Sequence, residues 1–516
     1  MKKTSKTVIS ILVLSFLLVS GNLKIYGQSI ELPNGLGISN QLEYAYDSQK
    51  DLEILENWLN LDYRNGIFST GFRLDVFQPN DPNPSISRGK NRFADIAYKY
   101  VQADIGNKRE GLQIRVGNYY ALFGRGMLLK SYEDRSLRVD NNLMGVKLLA
   151  NYSDFQLTAL AGMPENADAE RKDLIHAVDL EYRGIKKVKL GASVVSNLPQ
   201  TEANARTTLA SLRTATSLWN FDFYGEYGIK KNNQIEETVF GGNESIVGNA
   251  FYGNLNFYYG PFSLTSEYKY YDNFALMSND GTVIYNTPPA VRKDYQYILL
   301  NRHPSPLDQN NEQGFQLEAS LNLSEDTYFS ANYSETKTLN SGSYYQRIMS
   351  SNVIPRMQFK EFYVQGFHAW SKDVKTIVGF GYNEELSTNT KNITPILENR
   401  FYLDDMNTLK VILEHQQTTN NFSGEKKFDD VLVLEYLRSP KLSISFVTEM
   451  ETTEPEEGRL VRKFWTFIQL GYQLGEHTDL SFLVGSRQAG NICIGGVCRY
   501  EPEFNGVELK MVTRLF

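Results

Sequence analysis

Three sets of residues have types and spacings that could do chemistry. One is Cys493-Ile-Gly-Gly-Val-Cys498. Gly495-Gly496 can supply the positive φ angles of a two-residue hairpin turn, with Ile494 opposite Val497. Cys493 and Cys498 then face each other in the non-hydrogen-bonded position, about 4.5 Å apart at Cα and within disulfide range. So short a closed loop contributes about 2 kcal/mol in the chain-entropy model, enough to shape a loop tip rather than to hold a fold. Two thiols without a neighbouring His or a second Cys pair are too few for a closed zinc site, the alternative use of the pair. A second set is the stretch Tyr119–Asn142, which concentrates Arg125, Lys130, Glu133, Asp134, Arg135, Arg138 and Asp140. That density of opposite charges suits an electrostatic filter, which needs no covalent step. The third set is five histidines, His176, His303, His368, His415 and His477. A hydrolase would need one of them beside a nucleophile and a third, orienting group. None lies in a G-x-S-x-G context, so no catalytic residue, metal site or cofactor is expected.

The elements that would carry these residues are strands. In Gly314–Leu323, Phe315, Leu317, Ala319, Leu321 and Leu323 share one face against Gln316, Glu318, Ser320 and Asn322. Ile67–Phe77 sets Phe68, Thr70, Phe72, Leu74 and Val76 against Ser69, Arg73 and Asp75. Leu218–Ile229 sets Trp219, Phe221, Phe223, Tyr227 and Ile229 against Asn220, Asp222, Tyr224 and Glu226. The final segment puts Val507, Leu509, Met511 and Leu515 opposite Glu508, Lys510 and Arg514. The period is two, not 3.6. Each run has the length of a tilted membrane-crossing strand, about 9–11 residues. Lipid on one side and a wet lumen on the other would explain charges placed opposite a wholly apolar face.

Connections alternate in length. Short turns fall at Tyr152-Ser153, Gly184-Ile185, Gly260-Pro261, Ser324-Glu325, Lys372-Asp373, Ser439-Pro440 and Gly475–His477. Between them lie longer polar stretches: Pro164–Arg171, Pro199–Ser211, Ala275–Asn311, Leu339–Met357, Glu451–Val461 and Gln488–Glu503. This is the asymmetry of short periplasmic turns and long extracellular loops. The reading is an all-β, transmembrane, antiparallel up-and-down β-barrel of about 24 strands, in a range of 20–26. Keeping the alternation requires an extra strand near Gln234 to Phe240. No separate plug domain is expected, because strands begin by about Leu36.

Residues 1–27 read as a signal peptide for Sec-type export: Lys2, Lys3 and Lys6, then the apolar run Val8–Val19, then a small-residue end before Gln28. Residues 28–516 form a single barrel, with inward or extracellular loops at about 120–141, 275–311, 339–358 and 488–503. Abundant Tyr (32) and Phe (29) favour strands over helices. Removing the four lysines of the signal takes the formal charge from −7 to −11, which argues against a nucleic-acid partner. The expected surroundings are outer-membrane lipid, small polar solutes or ions, and envelope proteins.

The lumen-facing set carries both signs: Arg73, Asp75, Asp95, Lys99, Arg115, Lys147, Asp179, Glu181, Arg183, Glu267, Lys269, Glu318, Glu508, Lys510 and Arg514. Such a wall either sets ion preference or pairs across strands and keeps the interior ordered. A barrel this wide must be open, filled by a partner or filled by its own loops. Gly124 and Gly126 let Tyr119–Asn142 turn sharply. The apolar Leu122, Phe123, Met127, Leu128 and Leu129 favour packing of that loop inside, as a constriction.

Gly124-Arg-Gly-Met-Leu-Leu, continuing through Tyr132, Arg135, Asp140 and Gly145, together with Cys493-Ile-Gly-Gly-Val-Cys-Arg499, resembles an uncharacterised outer-membrane β-barrel family of the Bacteroidota. The resemblance implies a porin-like barrel in the outer membrane and supplies no activity. Two functions follow as expectations. One is a channel for passive or gated diffusion of small polar solutes through a charged lumen. The other is a loop-filled barrel serving a secretion or assembly complex, with Pro288, Pro289, Pro304, Tyr295, Tyr297, Tyr344 and Tyr345 in the long loops as possible anchors.

Overall fold

Alternation of apolar and polar residues gives each strand two unlike faces, and closure of the sheet sorts those faces into outside and inside. The computed structural model describes residues 33–79, 94–135, 139–166, 170–199, 206–237, 243–278, 281, 283–302, 311–339, 356–385, 388–456, 458–494, 497–501 and 503–515. Its main sheet has 24 strands, each antiparallel to the next in sequence. The first, Leu36–Asp47, pairs with the last, Phe504–Leu515, setting Leu42 opposite Met511 and Glu43 opposite Lys510. The sheet therefore has no open edge, which removes the aggregation hazard of an unpaired strand.

Facing follows the alternation. Along Asn311–Ser324, Leu317, Leu321 and Leu323 are exposed on the outer wall while Glu312 and Gln316 are buried. Along Phe68–Pro79, Phe68 and Phe72 are exposed and Arg73 and Asp75 are buried. Turns at one rim are tight: two residues separate Tyr152 from Phe155, Ile185 from Val188, Tyr259 from Phe262 and Ser324 from Thr327. The opposite rim carries the long connections 120–142 and 273–310.

Three boundaries differ from the sequence reading. Leu218–Ile229 is not one strand. Thr207–Leu218 is a strand by itself, Trp219-Asn220 is the turn, and Phe221–Glu237 returns. Trp219 sits at the turn with positive φ and is 93% exposed. The extra strand near Gln234 to Phe240 does not exist as such, because Phe221–Glu237 pairs directly with Asn243–Tyr259. The two errors cancel in the count. Glu451–Val461 is also mostly ladder: Leu442–Glu456 and Arg459–Leu474 run through it. The expected signal peptide, residues 1–27, lies outside the described residues.

Buried apolar residues gather inside the barrel in two large clusters. One joins Tyr119, Phe123, Met127, Leu128 and Leu129 to Phe274, Leu276, Tyr285 and Val291, against Ile175, Val195, Leu209 and Tyr252 of the wall. The other joins Tyr295, Tyr297, Ile298, Leu299 and Leu300 to Tyr363, Ile396, Ile412, Val431, Val447, Phe467 and Leu483. Both are built by loops from the long-loop rim folding into the lumen.

Candidate functional site

The loop between Glu110–Tyr119 and Leu143–Tyr152 enters the lumen because its apolar half finds an apolar wall and its charged half finds counter-charges. Arg73, 3% exposed, is the hub of the charged half. Its guanidinium donates to Asp75 (2.7 and 3.0 Å) on its own strand, and to Glu133 (2.9 Å) and Asp140 (2.5 Å) on the loop. Arg135 donates to Glu133 at 2.6 Å and lies 5.7 Å over the Trp58 ring. Tyr120 donates to Asp140 at 3.1 Å, and Lys147 donates to the Tyr120 carbonyl at 2.8 Å. Forked, charge-assisted bonds of this kind fix orientation as well as supplying energy.

The apolar half turns at Gly124 and Gly126, both at positive φ. A Cβ on Gly124 would stand 2.3 Å from the Glu226 carboxylate, and one on Gly126 would stand 2.5 Å from the Thr287 carbonyl. Between them Arg125 reaches to Tyr252, donating to its hydroxyl at 3.1 Å and lying 4.3 Å over the Tyr224 ring. Lys130 lies 4.5 Å over the Tyr132 ring.

The loop following Phe262–Asp272 locks onto the first. Asn286 donates to the Met127 carbonyl (2.8 Å), Thr287 N–H to Gly126 O (3.0 Å) and Lys130 N–H to Tyr285 O (2.9 Å). From there the segment runs along a wall of carboxylates. Lys293 pairs with Glu318. Tyr295 donates to Glu361 at 2.5 Å and Tyr297 to Glu398 at 3.2 Å. The backbone N–H groups of Ile298 and Leu299, opening the helical turn Ile298–Asn301, donate to the two oxygens of Glu414 at 2.9 and 2.8 Å. Arg302 pairs with Glu449 and donates to Gln488 at 2.6 Å. Burial, reinforced by Glu361, pushes the Tyr295 phenol well above its ordinary range; burial does the same for Tyr297. Both hydroxyls therefore stay donors.

The two loops together touch wall residues from Gln41, 3.4 Å from Arg135, to Glu449. Two hollows remain against the first loop. One, of about 540 Å³, is lined by Tyr120, Gly124, Lys147, Asp179, Glu181 and Arg213. The other, of about 350 Å³, is lined by Arg125, Arg183, Lys187, Lys189, Asp222 and Asn254. Their charges are partly self-paired: Arg213 donates to Asp179 at 2.6 Å, and Arg183 to Glu181 at 2.6 Å.

The other residues singled out in the sequence are spread around the barrel. Arg115 donates to Gln102 (2.7 Å) and stacks on Tyr100 (4.1 Å). Glu267 accepts from Tyr252 and Asn254, both at 3.0 Å. Lys269, fully buried, donates to the Ala290 carbonyl (2.7 Å) and pairs with Glu312 (3.0 Å), so it anchors the second loop. Glu508 pairs with Arg487 (3.2 Å) and Lys510 with Glu43 (3.4 Å). Arg514, with Asp479 at 3.5 Å, stands exposed at the short-turn rim. Asp134 lies opposite Val139 in a short hairpin, while Arg138 lies outside the described residues. Cys493 is in register with Cys498 and Ile494 with Val497. Tyr295 and Tyr297 point into the lumen rather than outward, and Tyr344 and Tyr345 lie outside the described residues.

Sequence reasoning missed the carboxylates that receive the second loop: Glu361, Glu398, Glu414 and Glu449. Their inward parity was available, but nothing in the sequence aligns them across four strands. Among the described residues no cluster suited to a metal ion occurs.

A search of curated proteins finds no match. Among solved structures, the chain is similar to the P pilus usher PapC translocation pore (9% identity, 93% of this chain and 99% of that one, TM-score 0.48). It is similar to the E. coli P pilus tip assembly intermediate PapC-PapD-PapK-PapG (8%, 93% and 60%, TM-score 0.50). It is also similar to the siderophore receptor PirA from Pseudomonas aeruginosa (10%, 95% and 81%, TM-score 0.44). At these identities the likeness concerns the fold alone. A family model covers nearly the whole sequence, residues 5–515, and the chain belongs to that family of unknown function, DUF6029.

Proposed function

We propose that this protein is an outer-membrane channel for small polar solutes whose lumen is gated by its own two in-folded loops. The carrying observation is the second loop, bound to Glu361, Glu398, Glu414 and Glu449 across the wall by hydrogen bonds and an ion pair. Such a segment is held by these polar contacts and by the apolar cluster around Ile298–Leu300, none of them part of the strand ladder, so it can leave without unfolding the sheet. The charged hollows beside the first loop supply a wet route once it does. Outward apolar faces on a closed barrel support residence in a bilayer, with the short-turn rim on the periplasmic side. Export by a Sec-type signal and an origin in the Bacteroidota belong to the same reading.

Planar-bilayer recording on the purified protein tests it. Infrequent discrete openings are expected from the native chain, and frequent openings once the second loop's anchors are removed. A folded barrel silent in both forms overturns the channel. It would favour the second reading, a scaffold for envelope proteins, which the filled lumen itself supports.

A further inference from the structure

The outer wall of strands Thr390–Tyr402, Asn407–Asn420 and Lys426–Arg438 breaks the rule that lipid-facing positions are apolar. His415 and Asp430 are cross-strand partners on that face, with His415 Nδ1 2.8 Å from Asp430 Oδ1 and both side chains nearly half exposed. They are not at a rim. Ile393 and Phe428 lie beyond them on the same face toward the long-loop side, and the Phe428 ring stacks on His415 at 6.0 Å. An ionisable pair facing hydrocarbon loses hydration and costs stability, so its position asks for a polar partner.

The pair lines a hollow of about 610 Å³ whose outward lining is, apart from Thr448, apolar: Val378, Leu397, Leu413, Leu432, Met450 and Phe464. Sequence and packing both create it. Pro395, at its centre, has no N–H to give the ladder, and pairing is interrupted between Ile393↔Gln417 and Ile396↔Glu414. On the inner side of the same wall, Ile396, Ile412 and Val431 pack against the Leu299–Leu300 turn. Beyond the hollow, Lys391 and Lys426 both pair in register with Thr419, and Arg462 pairs with Thr452, all on the outer face. Two acids flank them on that face among the described residues, and each is engaged locally: Glu384, in register with Lys391, accepts from the Tyr382 hydroxyl, and Glu454 accepts from the Gly458 N–H at 2.8 Å.

Resting on the membrane residence proposed above, the geometry points to a specific lipid site. The hollow takes one acyl chain of an outer-leaflet lipid, and His415 and Asp430 hydrogen-bond a polar group at the head of that chain. Lys391, Lys426 and Arg462 receive an anionic headgroup. The pattern of apolar slot, central polar pair and cationic rim matches an anionic amphiphile and nothing uniformly apolar.

The test uses the full-length protein, purified in mild detergent and titrated with phosphatidylglycerol or phosphatidylcholine under native mass spectrometry. The native chain is expected to retain one phosphatidylglycerol, with at least tenfold weaker retention by His415→Leu/Asp430→Leu. Lys391→Gln/Lys426→Gln/Arg462→Gln should abolish the preference for phosphatidylglycerol over phosphatidylcholine. Equal retention by all three proteins overturns the site. A photo-crosslinking residue at Leu413 should give a lipid adduct in cells, and an adduct only with protein overturns the lipid assignment. Recovery of the chain in the soluble fraction would defeat the membrane reading instead. Because the double variant removes a cross-strand polar pair from the outer wall, a heat-modifiable band confirms that it has folded.

Discussion

Glu414→Ala probes the gate most directly. The Glu414 carboxylate, 3% exposed, is the acceptor for two consecutive backbone N–H groups, Ile298 at 2.9 Å and Leu299 at 2.8 Å. Truncation leaves both donors buried without that acceptor, at about 1–3 kcal/mol each. Roughly 2–6 kcal/mol is therefore removed from the inserted state and nothing from the displaced one, where water bonds the same groups. At about 1.4 kcal/mol per tenfold, even 3 kcal/mol raises the displaced population roughly 100-fold. Glu414→Gln keeps an acceptor but loses the charge, so it should fall between. Two assays read the change. Open probability in planar bilayers should rise in the order native, Gln, Ala. The alkylation rate of a Leu299→Cys probe, in a Cys493→Ser/Cys498→Ser background, should rise in the same order. Unchanged alkylation in a folded Ala variant would refute the claim that Glu414 holds the crossing. Faster alkylation without conductance would keep the latch and refute the channel.

Arg73→Ala should strip the counter-charge from Asp75, Glu133 and Asp140 together. Breaking a buried pair this way costs about 3–5 kcal/mol, visible as a lower unfolding temperature and faster proteolysis within 120–142; Arg73→Lys, lacking the fork, should recover only part. Gly124→Val should expel the first loop, because its Cβ would meet Glu226 at 2.3 Å and its φ is +62°. The expected readout is new protease cleavage at Leu122–Leu129 with the barrel intact. Cys493 and Cys498 should resist alkylation until reduced, and reduction should lower stability by no more than about 2 kcal/mol; alkylation of the unreduced protein would refute the bridge.

The in-folded loops also explain where sequence reading lost its footing. Where the lumen wall meets water or charge, as along Phe68–Pro79, polar-in alternation is clean and the strand is legible. Thr207–Leu218 was missed because Leu209 faces inward onto the apolar cluster around Tyr119 and Phe274 while Thr208, Thr214 and Thr216 face outward. That blurs both faces, and the period-two signal fades with them. The apolar Phe123 and Met127–Leu129 announced a buried loop, since a solvated one would not need them, whereas Leu122, expected to pack with them, is 60% exposed. The second loop gave no such sign, its tyrosines and prolines suiting an outer anchor equally well.

The sequence by itself determined the barrel: a period of two fixes which side chains face outward, and alternating connection lengths fix the up-and-down order. Parity along a strand also indicates which residues face inward until a bulge shifts it: past the irregularity at Arg73/Leu74, Lys99, expected in the lumen, falls in register with Phe72 on the outer wall. Only the tertiary structure decided which inward charges meet. Arg73 joins Glu133 and Asp140 across 60 and 67 residues, and Glu414 receives a turn more than 100 residues away. Facing is a local property of the chain, whereas partnership in a lumen depends on strand register around the whole ring and on where a loop lands.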